Sequence, residues 1–226
     1  MADQPDVTAA FAKGTHAFMG LTLLVEPGAL IPRAETELLG QAALEVLKAM
    51  KNPVVIDMCC GSGNLACAIA HHVPTATVFA ADLTPSCAAL ARKNAEHLGL
   101  QKRLTVFQGD LFEPVRASLP SDGVDVIVCN PPYISTSKLE TDRASLLEHE
   151  PREAFDGGPY GLAIHQRVIK EAVTLLKPNG ALLFEFGLGQ ERQMKALFER
   201  AKVYTGIRFV NNAEGAPRAV VATRLA

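Results

Sequence analysis

Apolar residues along this chain come in two groupings: short unbroken runs, and longer stretches in which they recur every three or four positions. The runs predict buried strands at 54–56, 76–81, 104–107, 124–129 and 181–186, and the recurrent stretches predict helices at 31–47, 65–70, 85–98, 161–176 and 190–200. Gly99 stops the third helix, and Lys177-Pro178-Asn179-Gly180 stops the fourth. Two further strands, 203–210 and 219–224, flank a turn-like Asn211-Asn212-Ala213-Glu214-Gly215 and so pair antiparallel. Strands alternating with helices call for an α/β fold: a mainly parallel sheet covered on both faces, with an antiparallel pair at the end. Ahead of this pattern, Phe11, Phe18, Met19 and Leu21 are spaced by Gly14 and Gly20, which predicts a short helix or turn and then an extended 21–25. The expected organisation is an amino-terminal arm or lid over 1–30 and one catalytic domain over 31–226.

Composition narrows the class. A chain of 226 residues can bury one good core, and 20% charged with 48% hydrophobic residues is ordinary for a globular protein. No apolar run is long enough to span a membrane, and the acidic start Met-Ala-Asp-Gln-Pro-Asp lacks a secretory core, so a cytoplasmic protein with no membrane partner is expected. A net charge of −2 argues against a large nucleic-acid footprint. Five cysteines, two of them adjacent, fit buried thiols better than a disulfide framework, and His71-His72 fits a helix end better than a metal site. No metal is expected.

Candidate chemistry gathers where predicted strands end. Asn130-Pro131-Pro132-Tyr133 follows the run 124–129 directly; two prolines forbid further ladder pairing and an immediate helix, so a stiff loop forms at the strand's carboxyl edge. Open α/β sheets bind ligands at that edge. Asn130 offers one carbonyl and one amide there, a clamp suited to a planar –NH2 group, with Tyr133 walling the pocket. Upstream, 54–64 reads as a strand, the carboxylate of Asp57, and a turn through Cys59, Gly61 and Gly63 that opens a helix. Asp82 ends the next strand, where a carboxylate can take both ribose hydroxyls. Asp110 follows the third strand, placed to accept from an exocyclic amino group while Leu83 and Leu111 sandwich an adenine.

With these residues the chain resembles the class I S-adenosylmethionine-dependent methyltransferases, and within them the release-factor glutamine methyltransferases of the HemK or PrmC type. Residues 30–37, the glycine loop, Asp82, Asp110, Asn130-Pro131-Pro132-Tyr133, Glu150-Pro151, 157–162, Glu185-Phe186-Gly187 with Gln190, and Arg218 carry the likeness. The resemblance implies a Rossmann-like seven-stranded sheet and S-adenosyl-L-methionine as cofactor. It places Asp57, Gly61 and Gly63 near the methionine part, Asp82 at the ribose and Asp110 at the adenine. Asn130 and the proline-loop carbonyl would aim a substrate nitrogen at the sulfonium methyl. Three departures stand out. The family usually carries a helical amino-terminal docking domain and this chain begins almost at the catalytic domain, which favours a small molecule or flexible peptide as substrate. Cys59 replaces the first glycine of the loop, which requires a negative φ there. Tyr160 replaces an acidic residue, either as a surface aromatic of the loop or as a ring that interacts with a sulfonium. Two other enzymatic readings share these residues: a cyclase converting the cofactor itself to azetidine-2-carboxylate and methylthioadenosine, with Tyr160 or a leading-arm Phe holding the sulfonium, and an adenine N-methyltransferase that flips a base into the clamp.

Overall fold

The computed structural model describes residues 7–226 apart from Asp142 and His149, so the acidic start at 1–6 lies outside the described residues. The chain begins with α1 (Val7–Lys13) and a two-stranded antiparallel hairpin, β1 (Thr15–Phe18) and β2 (Leu21–Leu24). The second strand falls within the extended 21–25 that the sequence predicts, whereas the first, only four residues long, is not foreseen. Its turn is Met19-Gly20, with φ of 47° and 80°, the pair of left-handed residues that matches the twist of a tight hairpin. Met19 is no glycine, and its strain is offset by pinning: its N–H donates to Glu37 Oε1 at 2.7 Å and its carbonyl meets His72 Nε2 at 2.9 Å.

Then the alternation sets in: α2 (Ala34–Leu47), β3 (Val54–Met58), α3 (Asn64–His72), β4 (Thr77–Asp82), α4 (Pro85–His97), β5 (Leu104–Gln108) and β6 (Val124–Cys129). After a long connection bearing α5 (Thr136–Glu140) and two 3-10 turns come α6 (Ala163–Ala172), β7 (Leu176–Glu185), α7 (Glu191–Ala201), β8 (Tyr204–Asn211) and β9 (Pro217–Arg224). Seven strands form one sheet in the order β5-β4-β3-β6-β7-β9-β8, parallel throughout except that β9 runs antiparallel to both its neighbours. The expected α/β class and terminal antiparallel pair are therefore present.

Boundaries shift most between α6 and β7. The predicted helix over 161–176 stops at Ala172, because Val124 N–H donates to Leu175 O at 2.8 Å and Leu176 already pairs with Val124. Pairing then jumps from Val124↔Leu176 to Val126↔Ala181, so 177–180 bulges out of register. Pro178 has no N–H for the ladder, and Asn179 turns at φ 64°.

Strand side chains alternate between two cores. Val55, Val78, Val126 and Val128 face the hairpin, α2, α3 and α4; Ile56, Met58, Ile127 and Phe184 face α6 and α7. Each such fully buried side chain contributes roughly 1.5–3 kcal/mol. Phe18, Leu21 and Leu23 of the hairpin belong to the first core, so these arm residues are packed against the main body. Strand order reverses between β3 and β6, which opens a crevice at their carboxyl ends.

Candidate active site

A cavity of about 970 Å³, counted with its open mouth, occupies that crevice. Asp57, Cys59, Gly61, Asp82, Leu83, Asp110, Leu111 and Asn130 line it together, joined by Arg33 and Thr36 from the start of α2 and by Pro151, Glu153 and Ala154 from the connection after β6. Four strand ends thus deliver side chains to one space.

The glycine loop is built by hydrogen bonds to its neighbours. Cys60 N–H donates to Ala81 O at 3.0 Å and Gly63 N–H to Cys60 O at 2.7 Å, closing the turn before α3. Gly63 has φ 77°, and a Cβ there would stand 3.0 Å from Ala91 Cβ, so α3 and α4 approach only over a glycine. Asp57 Oδ2 accepts from Ala66 N–H at 2.9 Å, capping the first turn of α3, while Oδ1 is buried with no partner. Burial pushes the Asp57 carboxyl up to about 8; the Ala66 hydrogen bond pulls it down, and the Asp82 charge adds to the rise. Asp57 therefore keeps a proton on folding that the unfolded chain gives up. Stability should fall as pH rises from about 4 toward 8, by at most about 1.4 kcal/mol per unit for this group. Asp57→Asn should flatten that slope in denaturant titrations across the same range. An unchanged slope would assign it elsewhere.

Asp82 braces the loop. Its Oδ2 accepts Gly61 N–H at 2.9 Å, and its Oδ1 accepts both the N–H and the hydroxyl of Thr84 at 3.0 Å. Asp110 is held differently: Arg167 of α6 grips both its oxygens, at 3.0 and 2.8 Å, an ion pair the sequence reading did not foresee. Leu83 is 57% exposed and Leu111 is buried, both in the cavity wall.

Several expectations are corrected. Cys59 has φ 58°, not the negative φ assumed for it, so a side chain occupies a left-handed position at a cost of about 1–2 kcal/mol. Gly63 and Pro131 do not line the cavity; Gly63 serves helix packing and Pro131 is buried. Tyr133 does not wall the pocket either. Its ring turns away into a buried polar cluster, where its hydroxyl lies 3.3 Å from Glu185 Oε1 and accepts from Arg218 Nη2 at 3.3 Å. Arg218 also stands over the Tyr133 ring, 5.8 Å from its centroid, and pairs with Glu35 at 2.6 Å. Tyr160 sits at the tip of the Gly158–Gly161 turn, 86% exposed, and no aromatic residue lines the cavity among the described residues. Phe11 and Phe18 are likewise committed to packing, so the aromatic cage expected for a cyclase is not assembled. Tyr160→Ala should accordingly leave cofactor affinity and turnover within about twofold of wild type, as an exposed side chain away from the site does. A tenfold loss would restore it to the site.

Cys60, Cys67, Cys87 and Cys129 are buried and Cys59 half-buried, all as free thiols. Burial pushes those four thiols up, Cys67 and Cys87 to about 12. No group of three or more candidate metal ligands occurs among the described residues, nor does any helix long and apolar enough to cross a membrane.

Sequence reasoning missed the supports. Thr36 accepts from Asn130 Nδ2 at 3.1 Å, Ile31 N–H donates to Glu150 Oε1 at 2.9 Å, and Arg33 pairs with Glu150, fastening the segment before α2 to the connection after β6. Arg33 keeps Nη1 buried without a partner in the cavity wall. Periodicity cannot reveal such cross-chain ties, which join residues 94 to 119 positions apart.

The orphaned Asp57 oxygen and the unpartnered Arg33 nitrogen suit the α-ammonium and α-carboxylate of an amino acid, while Asp82 and the exposed Leu83 suit a nucleoside. The donor set fits S-adenosylmethionine.

Comparison with known proteins agrees. A family model described as "Methyltransferase small domain" matches residues 35–160. The chain is 36% identical to a release factor glutamine methyltransferase of Moorella thermoacetica, over 95% of this chain and 74% of that protein. It is 37% identical to a 4-amino-L-phenylalanine/4-methylamino-L-phenylalanine methyltransferase of Streptomyces pristinaespiralis, over 81% of this chain and 62% of that one. A crystal structure of a release factor-specific protein-(glutamine-N5) methyltransferase from Alicyclobacillus acidocaldarius superposes with a TM-score of 0.52 at 26% identity, covering 89% of this chain and 99% of that one. Sheet order, site and kinship converge: the chain belongs to the S-adenosylmethionine-dependent methyltransferase family that includes the release factor glutamine methyltransferases.

Proposed function

We propose that the protein methylates an amide or amine nitrogen on a small molecule or a peptide. Asn130 carries this reading: a carboxamide on a proline-stiffened loop, in the wall of the cavity that also holds Asp57 and Asp82, with its Nδ2 already engaged by Thr36. Its Oδ1 is the group left to accept an N–H. The names of the relatives point the same way, one to glutamine and another to a 4-amino-phenylalanine.

Bound there, S-adenosylmethionine would supply a methyl on a sulfonium: the N–C bond would form as the S–C bond breaks, S-adenosylhomocysteine would leave, and the proton of the nitrogen would go to solvent. The protein's own share is positioning. Asp57 and Arg33 hold the amino-acid end, Asp82 the ribose, Asp110 and Leu83 with Leu111 the base, and Asn130 turns the acceptor nitrogen in line. Holding both reactants in one geometry is the main source of rate for such a transfer.

The test is mass spectrometry of products formed from S-adenosylmethionine alone, then with a glutamine-centred peptide, then with 4-amino-phenylalanine. Acceptor-dependent S-adenosylhomocysteine with a methylated product is expected. Enzyme-dependent methylthioadenosine from the cofactor alone would overturn the proposal.

A further inference from the structure

Asn130 is the last link of a buried chain of polar groups, and the chain determines which edge of its carboxamide reaches the cavity. A hydroxyl has one proton to give and lone pairs to receive with. Thr36 is 1% exposed, and its Oγ1 already receives Asn130 Nδ2–H at 3.1 Å. The Thr36 proton therefore needs an acceptor. Glu185, at the end of β7 and 2% exposed, keeps its Oε2 buried without a hydrogen-bond partner, and Thr36 is among the groups that help hold its carboxylate charged.

We infer that Thr36 is a positioning residue: its hydroxyl, oriented by the Glu185 carboxylate, fixes the Asn130 carboxamide with Nδ2 inward and Oδ1 toward the cavity, so that the site accepts only nitrogens bearing an N–H. The inference rests on the methyl-transfer reading for its catalytic meaning, while the orientation itself is a property of the folded chain.

The arrangement is reversible. With a proton on Glu185, its O–H can donate to Thr36 Oγ1. Thr36 then turns its own O–H toward the carboxamide, which flips so that Oδ1 accepts it, and the cavity meets an N–H donor in place of an acceptor. The groups around Glu185 come from every neighbouring element. Arg218 of β9 stands 3.9 Å from Oε1, Glu35 of α2 pairs with Arg218, and the Tyr133 hydroxyl is 3.3 Å away. His165 of α6 donates Nε2–H to the Glu185 backbone carbonyl at 2.9 Å, and burial lowers this histidine to about 4, so it stays neutral. Burial raises Glu185 to about 7, with Glu35 adding to the rise, while Thr36, Arg218 and Tyr133 hold it down. Orientation of Asn130 is thus set to change near neutral pH.

The experiment uses the full chain saturated with S-adenosylmethionine, with Thr36→Val, Thr36→Ser and Glu185→Gln. The side-chain NH2 signals of Asn130, identified by their loss in Asn130→Ala, are followed in ¹H–¹⁵N spectra between about pH 5 and 9. In wild type and Thr36→Ser they should move with a midpoint near that of Glu185; in Thr36→Val and Glu185→Gln the midpoint should vanish. On the glutamine-centred peptide, Thr36→Val should lose at least about tenfold in kcat with cofactor Kd unchanged, since small misplacement of a positioned group costs that much, and Thr36→Ser should recover most of it. Asn130 signals identical in wild type and Thr36→Val overturn the inference whatever the peptide does. A wild type that binds the cofactor yet methylates no nitrogen acceptor overturns the proposed function instead, and the spectra still decide the orientation.

Discussion

Asn130→Ala should bind S-adenosylmethionine almost as tightly as wild type and turn over at least about a hundredfold more slowly. The argument is geometric. Asp57, Asp82 and the glycine loop are held by their own hydrogen bonds to Ala66, Gly61 and Thr84, none of which passes through Asn130. Removing the carboxamide leaves that cradle standing. What disappears is the group that aims the acceptor, and a wrongly aimed nitrogen loses the advantage of proximity. Calorimetric Kd against kcat on the same preparations separates the two effects. Equal losses in both would make Asn130 a structural residue.

Asp82→Ala should do the opposite, weakening cofactor binding by about ten- to a hundredfold, the worth of one hydrogen bond to a charged group at 1.5–3 kcal/mol. It should also lower the melting temperature without ligand, because Gly61 N–H and Thr84 lose their acceptor. Asp82→Asn keeps one acceptor oxygen and should recover part of the stability. If saturating cofactor restores kcat in Asp82→Ala, the residue acts in binding alone; a persistent loss at saturation would place it in the catalytic step as well.

Much of the fold was legible because the parallel strands are buried on both faces and stand out as continuous apolar runs. The strand 124–129 was found to the residue. The first hairpin strand at 15–18 escaped because its pattern is too short, and the helix over 161–176 was drawn too long because Leu175 and Leu176 continue an apolar period although Leu175 lies in a turn and Leu176 opens the next strand. In the site, residues at the carboxyl ends of strands, such as Asp57, Asp82 and Asn130, were found from position alone. Those whose part depends on a partner elsewhere were misjudged. Tyr133 stands beside Asn130 in sequence yet points to Glu185 and Arg218, since a stiff loop sends successive side chains to different sides. Arg33 and Thr36 stood out only as part of the 30–37 likeness, with no role attached, and Arg167 gave no local signal at all.

Asn94 of α4 joins two places that sequence analysis treats apart. Buried completely, it receives Leu24 N–H at 2.7 Å and returns Nδ2–H to Leu24 O at 3.1 Å and to Ser62 O at 2.9 Å. One carboxamide thereby ties the end of the hairpin to the glycine loop. The two should melt as one cooperative unit, and trimming the chain back to the first strand of the sheet would remove more than a cover: it would leave a nucleotide cradle with part of its keystone gone.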